Sequence, residues 1–598
     1  MDQRTLPKPL RLWPGVIAVV LLLVARVGVK AVVPGFAGFA LGMKWTFPVM
    51  ALVVVWWTLF SRARWLERLS VLALMILGLG GAWTLGHESM GPLWLFAYAL
   101  PTLCIALVAG AAATRRFSDH RRFAAISAVV LFASGAWTLV RMNGISGDHV
   151  ADFGWRWAKS SEERLLAEAD RRPAASGSAA PLETRVEPRP ASADEVPAPR
   201  PAAAKSPSVP AVVHTPVDWP GFRGPGRDGV SRGVRIDTNW AASPPVELWR
   251  RPIGPGWSSF AVRGDLLYTQ EQRGEEEVVA CYSATTGAEV WTHRDAVRFF
   301  ESNGGAGPRG TPTLSDGRVY TFGATGIVNA LDADDGAVVW SRNAASDAET
   351  EIPTWGFSSS PLVVGDVVIV AVSGRLVAYD LATGRPRWKG PAGGVSYSSP
   401  QLATIDGVAQ VVLIGATGVT SVVPADGKRL WDHPWRGFPI VQPAVTADGD
   451  VLISASTDSG TRRIALAHGP SGWTAQERWT SRSLKPYFND FVVHEGHAFG
   501  FDGRILACID LRDGARKWKG GRFGNGQLVL LPDQDLLLVL SEEGELALVN
   551  ARPDQFIELA RFKAIEGKTW NHPVLVGSML VVRNGEEMAA FRLPRGKR

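Results

Sequence analysis

Cysteine is almost missing from this chain: 598 residues carry three. Cys104 lies inside an apolar run, and Cys281 and Cys508 occupy matching places in a repeat but in copies far apart. No bridge between them is expected, so the fold must hold without a disulfide even in an oxidising compartment. Both repeat cysteines read as buried substitutes for Ala. A long basic run is absent from the C-terminal two thirds. The net charge of +6 owes much to short basic loops near the N-terminus, which excludes nucleic-acid binding as the role of the charge. From 171 to 216 large apolar residues are scarce among Ala, Pro, Ser and scattered charge. Such a segment cannot bury a core and is expected to be an extended, mobile tether that lets the flanking parts move. Ionisable residues are rare in the apolar runs of the first 145 residues, Arg26 and Lys30 being the exceptions, so a proton or ion path has little support.

What is abundant is one repeat. Eight times beyond Trp249 a small residue is followed by a Gly-closed turn, often with an Asp two positions on, and in most copies by a Trp four residues after the Gly. Ala330 to Gly336 and Trp340, Ala378 to Gly384 and Trp388, and Cys508 to Gly514 and Trp518 share one internal spacing. Cys281 to Trp291 fits it, Ser421 to Trp431 fits without the Asp, and weaker copies start near Ala465, Leu548 and Ala590. Starts lie about 40 to 49 residues apart, the period of four short strands per propeller blade. Runs such as "RVYTFGATG" and "DVVIVAVSG" are β-branched or aromatic and end at Gly or Asp, which favours strands over a helical solenoid. The Asp-containing segment reads as a tight turn with Gly at positive φ. The small residue is expected to leave a slot that the neighbouring blade's indole fills, so Trp249, Trp291, Trp340, Trp388, Trp431, Trp479 and Trp518 are read as structural docking residues. The last copy lacks a Trp and the first strand, with Trp249, lacks a slot; joined, they complete one blade and hide two sheet edges. The expectation is an all-β eight-bladed propeller of four-stranded antiparallel blades, preceded by an α-helical transmembrane bundle.

The repeat as it stands in "ALDADDGAVVW" and "AYDLATGRPRW" resembles the tryptophan-docking repeat of the pyrroloquinoline quinone (PQQ) propeller superfamily. That superfamily includes quinoprotein dehydrogenases and the non-catalytic outer-membrane assembly lipoprotein BamB. The resemblance specifies fold far more than function.

Apolar stretches near 13–33, 45–60, 69–86, 92–113 and 123–140 are read as five membrane spans. Basic residues cluster before the first (Arg4, Lys8, Arg11), between the second and third (Arg62, Arg64, Arg68) and between the fourth and fifth (Arg115, Arg116, Arg121, Arg122). The positive-inside rule then puts the N-terminus in the cytoplasm and the propeller in the periplasm, on a bacterial inner membrane. The division expected is 1–145 membrane, 146–170 juxtamembrane amphipathic segment with Trp155 and Trp157 at the interface, 171–216 linker and 217–598 propeller. "DWPGFRGPGRDGVS" opens the folded part as an irregular strap pinned by Trp219 and Phe222, and it lacks the strand-loop-helix context of a phosphate cradle.

Each innermost strand opens on polar residues: Ser258-Ser259, Arg309-Gly310-Thr311, Ser358-Ser359-Ser360, Ser398-Ser399, Gln442, Asn489-Asp490, Asn525-Gly526-Gln527 and Asn571-His572. Placed radially they line the mouth of a central funnel, where function is sought. Resemblance to the quinoprotein enzymes implies PQQ held over Ca²⁺. For that role Glu301, Asn303 and Asn489 are the candidate metal ligands, Asp490 the candidate base, and Arg309, Lys568 and Asn571 the candidate cofactor contacts. Against it stand the absence of an adjacent Cys pair, of a Cys-x-x-Cys-His heme site, and of long insertions between blades. The favoured reading is a membrane-anchored, BamB-like binding or scaffold module for a periplasmic protein or envelope ligand. The alternative is a membrane-bound quinoprotein dehydrogenase oxidising an alcohol or sugar.

Overall fold

A computed structural model describes residues 10–33, 36–147, 150–169, 219–455 and 459–596. The linker expected over 171–216 lies outside the described residues.

Eight four-stranded antiparallel sheets follow one another between Val246 and Arg592. In seven of them the strands run in chain order from the innermost outward. The eighth joins the ends: Val246–Pro252 pairs with Glu587–Arg592 as the outermost strand of the last blade. Trp249 then stands opposite Ala590, the pairing that the incomplete first and last repeats require. Middle strands such as Val367–Val372 are buried along their whole length, and their β-branched side chains pack between neighbouring sheets. At the seam between the last blade and the first, the fully buried Arg583 donates to Thr269 Oγ1 at 2.7 Å and to the carbonyls of Gln270 and Gly254 at 3.0 Å each.

The register refines the docking rule. Ala330 lies opposite Trp340, Ala378 opposite Trp388, Cys281 opposite Trp291, Ser421 opposite Trp431 and Cys508 opposite Trp518, each within one blade. The small residue therefore faces its own blade's Trp and leaves that ring free to tilt outward; it is not the slot that receives the neighbour. The receiving surface is the next blade's turn glycine. A Cβ at Gly287, Gly336, Gly384, Gly427 or Gly514 would stand 2.4–2.8 Å from the ring of Trp249, Trp291, Trp340, Trp388 or Trp479. A bulge directly after the small residue recurs in these sheets, and bulges add local twist that re-aims a side chain. Each indole buries roughly 200 Å², on the order of 5 kcal/mol of apolar transfer at most.

Two copies, in the fifth and seventh blades, depart from the pattern; in the seventh Leu548 faces Ala560 and no Trp. In the fifth blade the residue facing Trp479 is Arg463, two before Ala465 and not small, while Ala465 faces Gln476. That blade's outer strands are ten residues each and turn at Gly469–Gly472. Neither glycine of that turn has a ring against it, and the Trp431 indole donates instead to Gln410 Oε1 of its own blade at 2.6 Å. All three cysteines are free and buried, and burial pushes the thiols of Cys281 and Cys508 up to about 12.

Among the described residues, five helical stretches over 13–32, 36–60, 65–85, 92–113 and 119–136 come before the first strand, Val140–Ile145. Three of these, Gly38–Phe60, Trp65–Leu85 and Pro92–Ala113, are long and apolar enough to cross a membrane; Trp13–Gly28 is shorter. The second and third stretches are longer than their apolar runs suggest, because Pro48 is accommodated within one and the other starts at Trp65. Trp155 and Trp157 are exposed and stacked on one another at 5.2 Å.

Candidate functional site

The eight polar openings do converge. Residues two positions before the inner strands form part of a belt in which one blade's backbone N–H donates to the next blade's side chain: Ser259 to Thr311 Oγ1, Thr311 to Ser360 Oγ and Ser360 to Ser399 Oγ, each at 3.0 Å. Gln442 N–H donates to Asp490 Oδ1 at 2.7 Å, so Asp490 is the belt's acceptor in the sixth blade. Above the belt lies a cavity of about 200 Å³ that every blade helps to line.

Its walls are aromatic. Trp257 and Trp570 stand 4.7 Å apart with Phe488 4.8 Å from Trp570, and a second group joins Trp355 to Tyr397 at 5.0 Å. Its channel side is closed by the strap. Trp219 is buried and exchanges backbone hydrogen bonds with Val262, and Phe222 meets His572 edge-on at 6.1 Å. Arg223 donates to Phe491 O at 2.5 Å, and Arg227 to Pro361 O at 2.8 Å and Ser360 O at 3.1 Å, so two buried guanidiniums span the channel.

Its outer side is closed by a hairpin that the sequence reading missed. Val140–Ile145 pairs antiparallel with Ala151–Trp155, and helix Ser161–Ala169 comes next. The hairpin is bulged between Met142 and Gly144, and its residues Ile145, Ser146 and Gly147 line the cavity. Ile145 N–H donates to Asn303 O at 3.0 Å, Gly147 N–H to Glu542 Oε1 at 2.6 Å, and Lys568 Nζ to Ile145 O at 3.1 Å. Gly144 is required here: its φ is +125°, and a Cβ would meet Lys568 Nζ at 2.9 Å. Glu162 accepts from Gly274 N–H and from Arg298, each at 2.8 Å. The segment 146–170, expected as an amphipathic stretch at a membrane interface, is thus bonded through its described residues to the propeller's mouth. The polar "NGISGDH" between the apolar "TLV" and "VADF" is the turn signal that could have revealed the hairpin.

Of the candidate residues, Glu301, Asn303, Arg309 and Asp490 line this cavity and Lys568 lines the adjoining cleft. Their charged groups are engaged, whereas the buried Asn489 Nδ2 and Asn571 Oδ1 have no hydrogen-bond partner among the described residues. Glu301 accepts from Asn303 N–H at 2.7 Å, from Gly304 N–H and from Arg309 at 3.2 Å. Arg309 also donates to Gly305 O and Trp355 O. Asn489 Oδ1 accepts from Tyr487 N–H at 2.8 Å, and Asn571 Nδ2 donates to Gly256 O and Ser258 O. Burial pushes the Asp490 carboxyl up, against the pull of Arg223 and of the Gln442 N–H. Lys568 lies over Trp570 and Trp257 at 4.6 and 5.2 Å, and burial lowers its ammonium to about 8. Glu542, not foreseen from sequence, holds together the roof, Trp570 Nε1 and Asn525 N–H.

This donor set does not fit PQQ over Ca²⁺. A hard cation needs six or more oxygens. Glu301 and Asp490, the carboxylates lining the cavity, are spent on N–H groups or guanidinium, and the cations that would meet a quinone carboxylate are spent on carbonyls and Glu301. Among the described residues the group of three His, Asp or Glu side chains at metal-ligand distance is His494, Glu495 and Asp535, beyond the far end of the sixth blade's inner strand.

A family model described as outer membrane protein assembly factor BamB matches residues 245–401. The chain is 25% identical over 320 residues to the outer membrane protein assembly factor BamB of Yersinia pestis, covering 51% of this chain and 70% of that protein. It is 27% identical over 251 residues to the quinohemoprotein alcohol dehydrogenase of Comamonas testosteroni, covering 36% of this chain but only 32% of that enzyme. The crystal structure of BamB from Moraxella catarrhalis superposes with a TM-score of 0.44 at 16% identity, over 59% of this chain and 99% of that one. The PQQ-type, BamB-like repeat read from the sequence is borne out.

Proposed function

We propose that this protein is a membrane-anchored binding and scaffold module, with a BamB-like propeller that engages a protein partner of the cell envelope through its exposed surfaces. The observation that carries this reading is the commitment of the funnel's charged groups to the protein itself: Glu301 holds a loop, Asp490 holds a blade junction, and Lys568 holds the hairpin. Groups so engaged serve rigidity, and a propeller whose funnel charges are internally paired offers its rims and blade edges to a protein partner. Similarity to BamB over more than half of the chain length supports the same class of role.

The three long apolar helices support anchoring. Counted as five spans together with the helices over 13–32 and 119–136, the region keeps Arg11, the cluster Arg62, Arg64 and Arg68, and the cluster Arg115, Arg116, Arg121 and Arg122 on one side, which supports a cytoplasmic N-terminus with the propeller in the periplasm of a bacterial inner membrane. The alternative, a quinoprotein dehydrogenase acting on an alcohol or sugar, draws on similarity to a third of one such enzyme.

The test uses the full chain in detergent with PQQ and Ca²⁺. No saturable quinone uptake and no dye reduction with a panel of alcohols and aldoses is the expected result. Alcohol-dependent dye reduction that Asp490→Asn abolishes would replace this reading with the dehydrogenase. For topology, alkaline phosphatase fused at the C-terminus is expected to be active, and an inactive fusion would overturn the periplasmic placement.

A further inference from the structure

The roof of the cavity and the end of the helical region are one piece of structure. Met142 and Ile145 of the hairpin are buried in a cluster with Ala82, Met90, Trp94 and Leu95 of the helices. Met142 N–H donates to Ser89 Oγ at 2.9 Å, and Arg156 donates to Leu85 O at 2.8 Å. Among the described residues the tip, by contrast, is held to the propeller by three hydrogen bonds, through Asn303, Glu542 and Lys568. Such a contact, at about 1 kcal/mol per bond, opens far more readily than the propeller unfolds.

Beside the cavity a cleft of about 490 Å³ separates the helical region from the propeller. Ser89 and Arg141 line it on one side and Lys568 on the other, and Trp257 and Gly304 border both spaces. A path into the cavity therefore runs from the ends of the apolar helices, past Trp257 and beneath the hairpin tip.

The cavity's chemistry restricts which molecules that path can deliver. Aromatic faces from two separate clusters present flat apolar surface, while Ser358 and Gln527 add neutral polar groups. Both carboxylates are already compensated, so a charged ligand would gain no counter-ion and would lose its hydration.

We propose that the axial cavity is a binding site for a flat, uncharged ring compound dissolved in the bilayer, admitted through the cleft when the hairpin lifts. The source of the ligand rests on the membrane-anchored reading; the site itself does not. Occupation fixes the roof, and the helical region is coupled to that event through Met142 and Ile145.

The experiment uses 2-naphthol as probe and the full chain in phospholipid nanodiscs, with empty discs as the partition control. Expected are saturable one-to-one binding in equilibrium dialysis and slower hydrogen exchange at Ile145 and Gly147. Ser146→Trp on the roof and Trp355→Leu on the wall should each lower affinity by about tenfold or more with the melting temperature unchanged. Uptake no greater than in empty discs, or saturable binding that both substitutions leave intact, overturns the site. Should the chain prove extractable from membranes without detergent, the anchored reading fails. Dialysis in buffer alone then decides the cavity: binding there retains the site and removes the bilayer as source, and no binding removes both.

Discussion

Trp291 of the first blade lies flat over Gly336 of the second: a Cβ on Gly336 would stand 2.5 Å from Trp291 Cε3, while the indole N–H reaches Ala333 O at 3.2 Å. The glycine answers two demands at once, a φ of +76° and room for a neighbouring ring. Gly317 has nearly the same φ, +74°, but a methyl group there would have nothing within 4 Å of it. Gly317→Ala should therefore cost about 1 kcal/mol of backbone strain, and Gly336→Ala about 2–4 kcal/mol, because strain and overpacking add. Chemical denaturation of the two variants checks the difference; equal losses would mean that the ring does not rest on the turn.

Asp490 answers to Gln442 N–H at 2.7 Å and faces Arg223 at 3.8 Å. Asparagine at this place keeps a hydrogen-bond acceptor but leaves Arg223 and Arg227 buried without a carboxylate between them. Asp490→Asn is expected to lose about 3 kcal/mol, since removing one partner of a buried charge group strands the other. A melting temperature unchanged by Asp490→Asn would refute the structural role.

His572 is buried beside the strap, its Nδ1–H donating to Pro573 O at 2.8 Å, and burial pushes the imidazole down to about 3 from 6.5. A depressed base binds its proton in the unfolded chain first. Stability is thus lost as pH falls from about 6.5 towards 3, by up to about 1.4 kcal/mol per pH unit from this group. His572→Gln should flatten the acid limb of the stability profile by one proton's slope, and an unaltered slope would count against the assignment.

Lys568 bonds the roof while lying over two indole rings. Lys568→Met keeps the apolar stem and removes the donor, so exchange at Ile145 and Gly147 should quicken about tenfold, with the blade amides unchanged. Exchange that stays slow would show that the helical region alone holds the hairpin.

The repeat itself determined a great deal. A small residue, a positive-φ glycine and a Trp at fixed spacing can be satisfied together only by stacked sheets. The orphan strand at Trp249 with the Trp-less copy at Ala590 determined ring closure, because each lacks what the other has. What the spacing left open was direction. Ala330 could receive a neighbour's ring or face its own, and only the bulged register shows that it faces Trp340 while Gly384 receives that ring. The candidate site divides the same way. Sequence periodicity placed Asp490, Arg309 and Asn571 at one end of the ring, since inner strands share a start. Which groups remained free there was settled by contacts more than a hundred residues apart in sequence, from Gly147 to Glu542 and Arg227 to Ser360. Such pairings arise from how whole sheets are stacked and have no local signature, so only the tertiary structure could decide that the funnel is roofed by a hairpin from the helical region.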